Sequence, residues 1–237
     1  YDLVLFPNST DVLNGYVEFA KKYNNVIYHV NREGSELEER ITGKRFVEKA
    51  GLNIPRWKMF KREEISNGID FIKSLDGKCV IKISPLLGAG LTRIFRDVNS
   101  AVEYYSSIIH RVNYATIEEF IDGIEVAQSI FFSNNCIIPF AFTFEHKPLY
   151  PGDNGIITGE MGTVIWFDHT KRFINEMFVP LANQLSEIDY RGFLDINSIY
   201  NPADDKIYFV EFTPRFGSPM FEILLPLFIE KITPSNI

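Results

Sequence analysis

The chain has few cysteines, few histidines and no long apolar run. Its 237 residues include two cysteines, Cys79 and Cys136, and four histidines. Both cysteines lie in apolar, strand-like runs, which predicts buried free thiols and a reducing, cytoplasmic compartment. No histidine or cysteine pattern has the spacing of a zinc site. No apolar stretch approaches the ~18 residues of a membrane span, so we expect no membrane partner.

An excess of positive charge is also missing. The chain carries 24 lysines and arginines against 31 acidic residues, a formal net charge of −7. Nucleic acids and anionic membranes attract basic patches, so this balance argues against a nucleic-acid partner. An anionic ligand would therefore need local cations or a metal ion. The segment from Tyr1 to Phe6 lacks the basic region of a signal peptide, and without an initiator methionine we expect further sequence upstream.

Alternating strand-like and helix-like segments predict an α+β protein. We expect three units: an N-terminal α/β segment (1–56), a compact lobe (57–117) and a larger C-terminal unit (118–237). Helices are predicted at 11–22, 36–50, 65–75, 99–109 and 173–188, and a glycine-rich loop at 152–162. Strands are predicted at 3–6, 26–30, 79–83, 91–95, 114–120, 125–132, 136–144, 192–200 and 206–212.

Lys82 interrupts the apolar, β-prone run Cys79–Ile83, and a small loop with Gly88 and Gly90 follows. A lysine fixed on a strand before such a loop is one way to hold a polyphosphate, because backbone N–H groups of the loop can approach oxyanions. Taken alone, Lys82 is more often a solvent-facing lysine on an edge strand. The phosphate interpretation therefore depends on acidic segments further along the chain.

The first acidic segment contains Glu118 and Glu119 at the end of a predicted strand, followed by a glycine turn and Glu125. Such a turn can present backbone groups to the edge of an adenine ring. The carboxylate of Glu125 can accept hydrogen bonds from ribose hydroxyls. A solvated turn between two strands is the alternative.

The second acidic segment places Asp195 and Glu211 in neighbouring predicted strands, each flanked by apolar residues. Carboxylates that face the same way on adjacent strands repel each other unless a cation lies between them, and hard oxygen ligands suit Mg²⁺. An outward-facing acidic pair is the alternative. Arg215 follows in a turn fixed by Pro214 and Gly217, where it would either stabilise a transferring phosphoryl group or pair with Glu211.

The predicted loop at 152–162 contains four glycines and comes shortly after Glu145, His146 and Lys147. A loop of this kind can wrap a small polar ligand, with cations just upstream. A surface loop without function is the alternative. The candidate substrate residues of this region are His146, Lys147, Asp153, Thr158, Gly159 and Gly162.

In this order the segments resemble the ATP-grasp superfamily, and within it the glycinamide ribonucleotide synthetases (phosphoribosylamine–glycine ligases). The similarity extends over residues 36–226 and implies an ATP-grasp fold, in which two α+β lobes grip ATP after a partial N-terminal α/β segment. The motifs that carry it are Gly43–Phe46 with Leu52–Pro55, Val80–Lys82, Glu118–Glu125, His146–Gly162 and Glu211–Met220.

The resemblance also implies a role for individual residues, with ATP and Mg²⁺ or Mn²⁺ as cofactors. Lys44 and Lys82 would contact the ATP phosphates, with Gly88 and Gly90 in the loop beside them. Glu118, Glu119 and the backbone at Ile121 would bind adenine, and Glu125 would bind ribose. Asp195, Glu211 and Thr213 would hold the metal ion, and the catalytic residues would be Lys82 and Arg215, the latter near the γ-phosphate.

The activity implied by the resemblance is ATP-dependent ligation of a small-molecule carboxylate to an amine through an acyl phosphate, with release of ADP and phosphate. The chain departs from the family in the substrate region, with Ile156-Ile157 for Pro-Asn, Glu160 for Gly and Thr213 for Asn. An ATP-grasp kinase and an ATP-binding module with reduced catalysis stay open as alternatives. The two substrates are not identified, and the oligomeric state is open, with a homodimer as one alternative.

Overall fold

The structure is a computed structural model, and it describes residues 3–5, 22, 26–28, 30–85, 91–152, 154–166 and 171–216. The predicted helix at 11–22 lies outside these residues apart from Lys22, and Gly88, Gly90 and Asp153 also lie outside them. A short parallel pair is formed by β1 (Leu3–Leu5) and β2 (Val26–Tyr28), which lie within the strands predicted at 3–6 and 26–30.

Two helices occupy the region where one was predicted at 36–50. The first is α1 (Arg32–Glu36) and the second is α2 (Arg40–Lys49). Glu39 separates them, because its carboxylate accepts hydrogen bonds from two backbone N–H groups of α2, at 3.1 and 2.8 Å, and so starts a new helix. The second helix ends as predicted before Gly51, whose φ of +73° suits glycine after a helix C-terminus.

The next part of the chain forms a four-stranded antiparallel sheet, called the small sheet below. Its elements are β3 (Trp57–Phe60), α3 (Ile65–Ser74), β4 (Lys78–Pro85), β5 (Leu91–Arg96), α4 (Val98–Ile108) and β6 (Val112–Glu119), with 3-10 turns at Arg62–Glu64 and Ile109–Arg111. The strand order is β3-β6-β4-β5, so β4 is an interior strand.

The two helices of this lobe pack on one face of the small sheet, where Cys79, Ile81 and Ile83 join the apolar core. Because side chains alternate across a strand, Lys82 points to the opposite face. Its side chain is nevertheless buried. The alternative interpretation of Lys82 as a solvent-facing lysine on an edge strand is therefore wrong.

The C-terminal part forms a five-stranded antiparallel sheet, called the large sheet below. Its strands are β7 (Ile124–Ser133), β8 (Cys136–Tyr150), β9 (Asn154–Trp166), β10 (Gly192–Asn201) and β11 (Lys206–Thr213), in the order β11-β10-β7-β8-β9. One face carries apolar side chains such as Ile130, Leu194, Ile196 and Phe212, which form the second core.

Three predictions about this part of the chain are wrong. The glycine-rich segment 152–162 is mostly strand, because the long β8 supplies hydrogen-bond partners to β9. The helix predicted at 173–188 is broken, since Pro180 has no N–H to donate. Cys136 is exposed, whereas Cys79 is buried, and both are free thiols. The pieces of the broken helix are α5 (Lys171–Phe173), a π-helical turn (Ile174–Phe178), a 3-10 turn (Val179–Leu181) and α6 (Ala182–Glu187).

The small sheet falls within residues 57–119 and the large sheet within residues 124–213. The division of the chain into three units at 56/57 and 117/118 stays a prediction. No helix among the described residues has the length and apolar character needed to cross a membrane.

Candidate active site

A buried cluster of three charged side chains joins α2 to the small sheet. Oε2 of Glu118 lies 3.0 Å from Nζ of Lys44 and 3.1 Å from Nζ of Lys82. Lys82 and Glu118 meet because β4 and β6 pair with Lys82 opposite Thr116, which puts Glu118 two residues along on the same face. Lys44 reaches the pair from α2. The structure therefore brings together the two predicted phosphate lysines and Glu118, the first glutamate of the first acidic segment.

The electrostatics of this cluster favour an anionic ligand. Burial raises the pKa of Glu118, but Lys82 and Lys44 together lower it below its ordinary value. Burial lowers the pKa of Lys44, and the charge of Glu118 opposes this only in part. Oε1 of Glu118 is buried and has no hydrogen-bond partner among the described residues. The cluster thus combines one surplus positive charge with one unused acceptor, so it can take an anion and a hydrogen-bond donor together.

The second part of the site is a polar face of the large sheet. Asp195 lies opposite Thr213, and Asn197 lies opposite Glu211, so all four side chains share one face of β10 and β11. Asp195 is buried and accepts hydrogen bonds from Oγ of Ser129 at 2.7 Å and from Nδ2 of Asn197 at 3.3 Å. Burial raises the pKa of Asp195 to about 7, more than these contacts offset.

Lys147 lies at the centre of the acidic part of this polar face. This part, called the acidic face below, contains Glu125, Glu145, Asp195 and Glu211. The Lys147 ammonium pairs with Glu125 and lies 3.2 Å from Oε2 of Glu145 and 3.9 Å from Oε1 of Glu211. It also donates to Oδ1 of Asn197 at 3.4 Å. Burial lowers the pKa of Lys147, but the surrounding carboxylates raise it above its ordinary value. The ammonium is therefore charged and balances part of the negative charge.

The oxygen atoms on this face fit a magnesium ion. Mg²⁺ in proteins takes one or two carboxylates and completes its shell with water and substrate phosphates. Asp195 and Glu211 supply carboxylates, and Thr213 and Asn197 supply neutral oxygens on the same face. The raised pKa of Asp195 indicates a carboxylate that a divalent cation would stabilise. In the described part of the chain, no group of three acidic, histidine or cysteine side chains is arranged to hold a metal ion by itself.

Two other candidates have partners outside both clusters. The guanidinium of Arg215 binds Oε1 of Glu38, through Nη2 at 2.7 Å and Nε at 2.8 Å, so pairing with Glu211 is wrong. Glu119 accepts hydrogen bonds from Nε and Nη2 of Arg56 at 3.0 and 3.1 Å. Successive residues of a strand point to opposite faces, which is why Glu119 does not join Glu118.

The described candidate substrate residues lie along β8 and β9, and among them Lys147 reaches the acidic face. Oγ1 of Thr158 donates to the carbonyl oxygen of Lys147 at 2.7 Å. Nε2 of His146 lies 3.3 Å from the carbonyl oxygen of Tyr150, and His146 pairs with Gly162 across the two strands. Gly159 also lies in β9, and Ile121 is buried in the connection between the two sheets.

Sequence reasoning missed Glu145, Asn197 and Ser129 as members of the polar face. The two-residue period of a strand could have found two of them, because Asn197 follows Asp195 and Glu145 precedes Lys147 by two residues. Ser129 is contributed by the neighbouring strand β7, where it pairs with Asp195. That pairing depends on the strand order, which the local pattern does not give.

Solved structures of two ligases share the architecture of this chain, and the fold is the ATP-grasp fold. A phosphoribosylamine–glycine ligase from Thermotoga maritima superposes with a TM-score of 0.69 at 25% identity, covering 91% of this chain and 58% of that one. A D-alanine–D-alanine ligase from Bacillus anthracis complexed with ATP superposes with a TM-score of 0.61 at 15% identity, covering 97% and 78%.

Residues 39–221 match the family model of the phosphoribosylglycinamide synthetase ATP-grasp (A) domain, and the chain belongs to this family. A phosphoribosylamine–glycine ligase from Fusobacterium nucleatum is 24% identical over 95% of this chain and 55% of its own length. One from Lactococcus lactis is 27% identical over 92% of this chain and 54% of its own length. The chain thus spans about half the length of these curated relatives.

Proposed function

We propose that this chain binds ATP and serves an ATP-dependent ligase that joins a small-molecule carboxylate to an amine through an acyl phosphate. The observation that carries the proposal is the pairing of Lys44 and Lys82 around Glu118, in a chain whose large sheet carries Asp195 and Glu211 on one face. Phosphoryl transfer needs such a combination of cations and metal ligands, because charge neutralisation and positioning supply most of the catalysis.

In this proposal the two clusters divide the work. Lys44 and Lys82 bind and orient the phosphates, and the free Oε1 of Glu118 accepts a hydrogen bond from the nucleotide. Asp195 and Glu211 hold Mg²⁺, which when bound neutralises phosphate charge. Arg215, now paired with Glu38, lies just after β11 and would stabilise the transferring phosphoryl group after leaving that partner.

The nature of the two substrates is also part of the proposal. The curated relatives are named for phosphoribosylamine and glycine, and the altered substrate region supports a different pair for this chain. Ile157 stands where the family has asparagine, so an apolar side chain replaces an amide that can donate and accept hydrogen bonds, and the neighbouring Ile156 is 68% exposed on β9. We keep the cytoplasm and a homodimer as predictions for the compartment and the assembly.

The test is release of ADP from Mg-ATP by the full chain, measured across a panel of carboxylates and amines. We expect release to need both a carboxylate and an amine, and hydroxylamine to trap the acyl phosphate as a hydroxamate. A phosphorylated product that forms with no amine and no hydroxamate would point to a kinase instead. If neither ADP nor hydroxamate forms with any pair while Mg-ATP still binds, the ligase proposal is wrong.

An ATP-binding module with reduced catalysis is the second candidate, and Thr213 favours it. Its hydroxyl accepts a hydrogen bond from Nδ2 of Asn197 at 3.4 Å, so this oxygen already has a partner on the polar face. A threonine hydroxyl is also a weaker magnesium ligand than an amide oxygen. Calorimetry that finds tight Mg-ATP binding without turnover across the panel would support this candidate.

A further inference from the structure

The ammonium of Lys147 lies where the candidate ribose ligand and the candidate metal ligands come together. It pairs with Glu125 and lies 3.9 Å from Glu211, with Asn197 also in contact. Its side chain is only 14% exposed. In the described ranges, Lys147 is the lysine or arginine that forms ion pairs with Glu125, Glu145 and Glu211. The acidic face therefore already contains a cation supplied by the chain itself.

We propose that Lys147 is a resident counter-cation, which neutralises the acidic face before nucleotide binds and yields its place to a divalent cation when nucleotide arrives. The inference rests on the proposed function, because it takes Asp195 and Glu211 as metal ligands. It assigns Lys147 a role in controlling when the metal ion binds. A divalent cation should bind together with the nucleotide and only weakly alone.

The charges on this face explain why the ammonium and the metal ion compete. Glu125, Glu145 and Glu211 place three carboxylates around one ammonium, and without a cation they would repel each other at short range. A divalent cation at Glu211 would be repelled by an ammonium that contacts the same carboxylate. The two cations therefore exclude each other in the absence of further negative charge.

A nucleotide changes this balance in two ways. Its phosphates bring negative charge and further oxygen ligands for the metal ion, which offsets the repulsion from Lys147. Its ribose hydroxyls can donate to Glu125 and so compete with Lys147 for that carboxylate. The side chain of lysine is long and flexible, so it can leave the carboxylates without movement of the sheet.

The experiment measures Mn²⁺ binding to the full chain by electron paramagnetic resonance, without nucleotide. Lys147→Met removes the charge and keeps an aliphatic side chain, and we expect it to bind Mn²⁺ at least ~10-fold more tightly than the wild type. Lys147→Arg keeps the charge and should bind as weakly as the wild type. Lys206→Met is the matched surface control, because Lys206 is 53% exposed and pairs with Asp204, and it should also match the wild type. Unchanged or weaker Mn²⁺ binding in Lys147→Met would overturn the proposal.

A second measurement on the wild type keeps the proposal testable if Lys147→Met does not fold. Mn²⁺ should bind much more tightly with a non-hydrolysable ATP analogue than without it. Equal affinity in both states, when calorimetry shows that the analogue is bound, would overturn the proposal. Failure of the proposed function has a different signature. In that case Lys147→Met still binds Mn²⁺ more tightly, but the analogue does not bind to any of the variants.

Discussion

Glu118 and Glu119 are adjacent in the chain and have opposite surroundings. Glu118 is buried between two ammonium groups, whereas Glu119 pairs with the exposed guanidinium of Arg56 at the sheet margin. The alternation of side chains along β6 causes this difference. The two residues therefore form a natural pair for measuring what a buried charge contributes to this protein.

Glu118→Gln should lower the free energy of unfolding by about 3–5 kcal/mol, because it leaves two buried ammonium groups without a counter-ion. Urea unfolding followed by circular dichroism measures the change. Glu119→Gln is the control and should cost about 0–1 kcal/mol, since its ion pair is partly in water. Equal effects of the two substitutions would show that the buried cluster has no special importance for stability.

Lys82→Ala should reduce ATP turnover by at least ~10²-fold, as expected when a charged contact to a transferring group is lost. The fold should persist, because Lys44 still pairs with Glu118. Lys78→Ala is the control, since Lys78 lies on the same strand and is exposed. ADP release and the far-ultraviolet spectrum are the two measurements. Near-wild-type turnover in Lys82→Ala would remove Lys82 from the site.

At the scale of the elements, the two helices of the small sheet are held together by a close contact at Gly68. A Cβ atom placed on Gly68 of α3 would lie 2.2 Å from the hydroxyl oxygen of Tyr105 on α4. Tyr105 is buried in the core of this lobe and cannot move away freely. The small residue thus sets the distance between the helices, and with it the support of β4 and Lys82.

Gly68→Ala should therefore destabilise this lobe by about 1–3 kcal/mol, the usual cost of overpacking a core. Asn67→Ala is the matched control, because Asn67 is the exposed neighbour on the same helix and alanine favours helix formation. Hydrogen exchange of the amides in β4 and β6 reports the local opening. Exchange in Gly68→Ala that is no faster than in Asn67→Ala would contradict the packing argument.

At the scale of the whole molecule, two apolar cores support two sheets, and the charged residues of the site come from both sheets and from α2. Cys79 belongs to the core of the small sheet, whereas Cys136 lies at the exposed end of a strand of the large sheet. The two thiols therefore report separately on the folded surface and on the opening of one core.

A thiol reagent at pH 8 should label Cys136 quickly and Cys79 only when the small-sheet lobe unfolds. Burial raises the pKa of Cys79 to about 11. The stability that comes from keeping this thiol protonated is complete below its ordinary value of 9.0 and is lost as the pH rises through about 11. Absorbance after reagent addition, with and without urea, counts the thiols, and Cys136→Ser is the control. Fast labelling of two thiols in the native chain would contradict the burial of Cys79.

The sequence by itself determined most strands of the two sheets (but not β3 or β9), the helices of the small-sheet lobe and the sharing of one face by Asp195 and Glu211. These features follow from local periodicity, which fixes the face of a strand on which each side chain lies. The sequence pattern did not predict a strand in the segment 152–162, because that segment becomes a strand only by pairing with β8.

Only the tertiary structure decided which charged residues meet. Lys44 and Glu118 are 74 residues apart in the chain, and Arg215 and Glu38 are 177 residues apart. Lys147 likewise contacts carboxylates from three other positions, on β7, β8 and β11. Periodicity gives the direction of a side chain but not the element that packs against it. Because the net charge of a buried cluster depends on all its members, the chemistry of the site is set by the packing of distant segments.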